Sequence, residues 1–132
     1  MPTLNAVPIK APFVDWILEG KKTWEIRSRS TNIRGRIALI KSKSLTVVGT
    51  CEIVEVIGPL TASMIQRNFQ AKINEAPRDC MGCVGHYAWV LGDVRRIVKP
   101  VPYDHPSGAV TWVKLDERKA AEVLAAKSVR VP

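Results

Sequence analysis

Residues 20–43 read GKKTWEIRSRSTNIRGRIALIKSK, and the way this stretch divides decides how the rest of the chain is read. Within it, Thr23 to Arg27 alternates, so a strand here would place Trp24 and Ile26 on one face and Glu25 and Arg27 on the other. Pointing Trp24 and Ile26 into a core would send Glu25 and Arg27 into a cleft or solvent, with Lys22 at the corner just before them. Ser30-Thr31-Asn32 is a polar connector, and Gly35 opens a second apolar strand, Arg36 to Lys41. The stretch carries eight Lys or Arg against one acid, Glu25, while the remainder of the chain has twelve basic residues against eleven acidic. Positive charge is therefore local. A basic face of this density in a small domain is the footprint of a polyanion partner, most often nucleic acid; a solvated surface without a partner is the plainer alternative.

Upstream, Phe13, Trp16 and Ile17 recur at helical spacing, and Gly20 falls where a helix C-cap belongs. Before them, Leu4 to Ile9 reads as a first strand, punctuated by Pro8 and Pro12. Downstream, Thr46 to Ile57 is the longest β-like run, and Gly49 together with the broken alternation at Ile53-Val54 predicts a bulge or bend. Thr61 is a candidate N-cap for a second helix with Met64, Ile65 and Phe69 on its apolar stripe. Residues 74–85 read as the longest loop. His86 to Leu91 and Val94 to Val101 read as two strands joined by a Gly92-Asp93 hairpin, Val110 to Leu115 as a last strand, and Asp116 as the cap of a helix to about Lys127. Short strands with turns between them, lacking a helix after each, predict an α+β fold built on a small, mainly antiparallel barrel with two or three flanking helices.

The 132 residues, 46% of them hydrophobic, suit a single domain over 1–132, with the barrel over about 4–115 and the C-terminal helix over about 116–127. No apolar run approaches the ~20 residues that span a bilayer, and three cysteines make no disulfide framework, so a soluble cytoplasmic protein without a membrane partner is expected. Cys80, Cys83 and His86 form a CxxCxxH on a glycine-bearing loop. A tetrahedral zinc would need a fourth ligand from Cys51, His105 or a carboxylate, none at diagnostic spacing, and no stoichiometric zinc and no cofactor are expected.

The spacing Gly20, Lys22, Glu25, Arg27 (GxKxxExR), followed by Arg-Gly before an apolar strand and then Ile40-Lys41-Ser42-Lys43, resembles the ASCH domain, a family related to PUA domains. Tyr87-Ala88-Trp89-Val90-Leu91, Pro100-Val101-Pro102-Tyr103, Gly108 and Trp112 resemble that family's C-terminal half. The resemblance implies a PUA-like barrel whose pocket is lined at Lys22, Glu25 and Arg27, with Ser42 and Lys43 beside it. Arg29 and Arg36 add to the basic face, and Tyr87 and Trp112 are candidates for stacking on a base. Lys and Arg suit phosphate; Glu25 could accept a hydrogen bond from a base edge or act as acid or base. The implied function is binding of RNA or a nucleotide, preferably unpaired, with DNA carrying a modified base as a variant. An alternative follows from relatives that act as ribonucleases or acetylcytidine amidohydrolases, with Lys22 and Glu25 as the catalytic pair. The amidohydrolases keep the lysine matching Lys22 but have a threonine nucleophile where this chain has Glu25, so binding without turnover is the expectation.

Overall fold

The computed structural model describes residues 2–74, 82–108 and 111–132. In chain order it has β1 (Leu4–Ile9), α1 (Phe13–Leu18), β2 (Trp24–Arg27), β3 (Gly35–Lys41), β4 (Thr46–Ile57), α2 (Ala62–Asn68), β5 (Tyr87–Pro102), β6 (Val113–Leu115), α3 (Glu117–Ala125) and β7 (Ser128–Arg130). A π-helical turn, Phe69–Ile73, continues α2. The seven strands form one sheet in the order β2-β5-β4-β3-β1-β6, with β7 also on β5. β1 and β3 run parallel, and the other pairs run antiparallel. The class is α+β as expected, but among the described residues the sheet is not closed: β2 and β6, at its ends, do not pair with each other. No helix among them is long and apolar enough to cross a membrane.

Three apolar clusters account for the layers. Under α3, the buried Ala120 and Val123 pack with Ala38, Ile40, Val47, Ile97 and Leu115. Under α1, Val14 and Ile17 pack with Val7, Ile9, Ile37, Leu39, Ile53 and Trp89. Beneath α2 and the π-turn, Ile65 and Ile73 pack with Trp24, Leu60 and Ala88, with Ile26 against them. The period-2 reading of β2 is thus right in its alternation. Trp24 and Ile26 face the α2 layer, which leaves Glu25 and Arg27 on the side of Trp89, the residue opposite Glu25 on β5.

The expected hairpin is a single strand. β5 runs unbroken for 16 residues beside the 12-residue β4, and Gly92-Asp93 is a bulge in it. From Thr50 to Glu52 the partner on β5 moves from Arg95 to Gly92, one residue more than regular pairing uses. Asp93 takes a left-handed conformation, φ 42°. A left-handed residue serves a bulge as readily as a tight turn, which is why the Gly-Asp signal misleads. The broken alternation at Ile53-Val54 corresponds to a further register shift between Ile53 and Glu55. At the far end Asp116 caps α3 through the Lys119 N–H (2.8 Å), and the chain then adds β7, unmarked in the sequence, by pairing Arg130 with Arg95. Val110, the expected start of the last strand, lies outside the described residues; β6 begins at Val113.

Hydrogen bonds from Arg95, then Arg36, hold the Asp93 carboxyl below its ordinary value of 3.8. A carboxyl lowered by folding stabilises the fold fully above that ordinary value and loses the contribution as pH falls through the lowered one. Melting temperature measured against pH should therefore drop below about pH 4, and Asp93→Asn should flatten that acid limb.

Candidate nucleotide site

Gly20, at φ 80°, ends α1 in a conformation that suits glycine, and the amides of Lys21 and Lys22 donate to the Trp16 carbonyl (2.9 and 3.2 Å). This turn carries Lys22 inward instead of leaving it on a solvated corner. The side chain is 2% exposed, its Nζ donates to the Ile73 carbonyl (2.9 Å), and the Phe13 ring lies 5.6 Å from it. The acceptor comes from the π-turn, an irregularity often found at functional sites. The same turn holds β2 through Thr23 N–H to Lys72 O, 2.9 Å.

Two residues along β2, Glu25 is 7% exposed, and its Oε2 accepts from Arg27 Nε at 2.8 Å. Arg27 Nη2 donates in turn to the Pro8 carbonyl (2.8 Å), and the guanidinium stands 5.5 Å from the Trp89 ring. The carboxylate is thereby held at one oxygen. Glu25 Oε1 has no hydrogen bond among the described residues, where no buried side-chain oxygen or nitrogen lacks a partner, so this oxygen is open to the space it faces.

That space is a cavity of about 390 Å³ lined by Lys22, Glu25, Arg27, Ser42, Cys83 and His86, with the end of β1 and Phe13 completing the wall. Four residues expected at a site, Lys22, Glu25, Arg27 and Ser42, therefore come together. Others do not. Arg29 is exposed, and its carbonyl accepts the Trp89 indole N–H (3.0 Å). Arg36 is bound to Asp93 away from the cavity lining, and Lys43 is exposed at a left-handed turn position, φ 70°. Tyr87 and Trp112 are half-buried against the α1 cluster, outside the cavity lining, and Trp112 stacks on Trp89 with ring centres 5.4 Å apart.

Cys83 and His86 reach the cavity wall, with His86 N–H donating to Cys83 O (2.9 Å); Cys80 lies outside the described residues. Two of the suggested fourth ligands, Cys51 and His105, are elsewhere. Cys51 is fully buried and burial pushes its thiol up to about 12, against the thiolate that metal binding needs, while His105 Nδ1 is bonded to the Tyr103 hydroxyl (2.9 Å). Among the described residues no three His, Cys, Asp or Glu side chains are grouped to hold a metal. Sequence reasoning missed Lys10 and Phe13 as wall residues. Phe13 lies on the apolar stripe of α1, and periodicity alone does not distinguish a helix residue that fills a core from one that borders a cavity.

The domain architecture is matched by a family model, the ASCH domain, over residues 7–123. The chain belongs to the ASCH domain family. Solved ASCH domains share its fold. The ASCH protein of Zymomonas mobilis superposes with a TM-score of 0.71 at 18% identity, covering 97% of each chain. A point mutant of that protein gives 0.72, covering 94% of this chain and 98% of the other. No curated protein matches the sequence. In this ASCH domain the Gly-Lys-Glu-Arg spacing thus corresponds to one corner of the fold, with Gly20 making the turn and the three charged residues on the cavity wall.

Proposed function

We propose that this ASCH domain is an RNA- or nucleotide-binding module that seats one unpaired nucleotide in the cavity beside β2. The observation that carries the reading is Glu25: a nearly buried carboxylate, fixed by Arg27 at one oxygen and open at the other, within a space large enough for a nucleoside. An acceptor of this kind takes the N–H groups on a base edge, and a charge-assisted hydrogen bond in a water-poor site discriminates strongly against a base that lacks them. Arg27 keeps N–H donors beyond the two committed to Glu25 and Pro8, and the exposed Lys10 stands at the rim, so a phosphate has cations within the same wall. Membership of a family that resembles RNA-binding modules agrees with this, as does the +8 net charge. DNA bearing a modified, extruded base would use the same acceptor.

A second reading, a small hydrolase acting on RNA or a modified nucleoside, is favoured by one feature: Ser42, Cys83 and His86 share the cavity with Lys22 and Glu25. Binding without turnover is the reading we favour, because position 25 holds a carboxylate already engaged by Arg27 (2.8 Å) and not a hydroxyl nucleophile.

Fluorescence anisotropy with a short single-stranded RNA and the duplex of the same sequence tests the seat. A cavity that takes one splayed base should bind the single strand more tightly by about 10-fold or more, with affinity falling with salt at a log-log slope of about −0.7 for each phosphate contacted. Equal binding of strand and duplex contradicts the seat.

A further inference from the structure

Arg36 belongs to the basic stretch but not to the cavity. It ends in a cluster that the sequence disperses over the whole chain. The Asp93 carboxylate accepts from Arg36, from Arg95 Nη2 (3.3 Å) and, at its other oxygen, lies 3.3 Å from Arg130 Nε. Arg36 also donates to the Asp93 carbonyl (2.7 Å) and stands 3.9 Å from Glu52. Three guanidinium groups thus share two carboxylates. Arg95 and Arg130 are direct cross-strand partners, an arrangement of like charges that opposes pairing unless an anion lies between them. Asp93 supplies one such anion, yet both side chains stay open to water, Arg130 at 77% and Arg95 at 48%.

We propose that this cluster is a second phosphate-binding point for the RNA strand whose nucleotide occupies the cavity; the inference rests on that reading of the cavity. Exposed ion pairs contribute little, so phosphate oxygens compete with Asp93 on near-equal terms, and a guanidinium fork matches phosphate geometry. The two places are linked. A smaller cavity of about 200 Å³ has Lys22 and Asp93 in its wall, and Lys22 also lines the nucleotide cavity. The shared lysine is buried, so the two places are neighbours through the protein and a strand reaches both by running over the surface between them. The bulge at Asp93 and the β7 pairing bring the arginines together, which explains why charge counting along the sequence finds only residues 20–43.

The test compares the parent chain with the double variant Arg95→Gln/Arg130→Gln in two titrations, one with a mononucleotide and one with a short mixed-sequence RNA over a range of KCl. The expected result is a salt slope for the strand flattened by about 0.7 to 1.4 units and a loss of affinity of about 5- to 25-fold at about 0.1 M salt, with the mononucleotide spared. Arg95→Lys/Arg130→Lys keeps the charge and should keep most of the slope. Strand binding unchanged in the Gln variant, or lost equally in the Gln and Lys variants, overturns the inference while leaving the cavity intact. A parent chain that binds neither ligand removes the cavity reading, and this one with it.

Discussion

Trp89→Ala should destabilise the fold by about 3–5 kcal/mol, the range for removing a large buried aromatic. Trp89 is 1% exposed and sits where α1, β3 and β5 meet. It stacks on Trp112 at an interplanar angle of 6°, and its indole N–H donates to Arg29 O. Truncation leaves a cavity, ends the stacking and removes a hydrogen bond, three losses of the same sign. A shift of the urea midpoint at unchanged slope measures it, and Trp89→Phe should recover roughly half, since the ring is restored without the N–H. The site would also feel the change, because the Arg27 guanidinium stands over this ring. A loss below about 1 kcal/mol would mean that Trp89 is not the packing centre described here.

Lys22→Met should combine a stability cost with loss of ligand binding. Methionine fills a similar volume, but the buried Ile73 carbonyl loses its Nζ donor, and an acceptor left unsatisfied in the interior costs about 1–3 kcal/mol. Loss of the ammonium also removes one of the cations on the cavity wall, so affinity for a nucleotide should fall by about 10-fold or more. Lys22→Arg serves as the partner experiment: it keeps the charge but not the compact ammonium that fits between Phe13 and the π-turn. Binding retained in Lys22→Met would show that Lys22 is a structural prop alone.

Much of this was readable from residues 20–43. Alternation put Glu25 and Arg27 on a common face, and Gly20 marked the turn that delivers Lys22, because both features are local consequences of backbone geometry. What local geometry does not carry is depth and partnership. Lys22 reads as a surface charge until the π-turn, fifty residues later, supplies a carbonyl for it. Arg36 reads as part of one basic face over residues 20–43 until the bulge at Asp93 draws it into a separate cluster. Tyr87 and Trp112 read as neighbours of the pocket because an aromatic residue looks alike in sequence whether or not it borders a cavity. β7 was illegible for another reason: three exposed residues carry no alternating pattern, and only the unpaired edge of β5 makes them a strand.

The central claim is that the open oxygen of Glu25 receives a base edge. Calorimetric titration of the four ribonucleoside monophosphates into the parent chain and Glu25→Gln tests it most directly, with acetate release from acetylcytidine followed in parallel. The account predicts saturable one-to-one binding of at least one nucleotide, weakened about 10-fold or more in Glu25→Gln, and no turnover by either protein. Unchanged affinity in Glu25→Gln would contradict it, and turnover that drops by about 10²–10⁴-fold in the variant would show that the same carboxylate works as an acid or base.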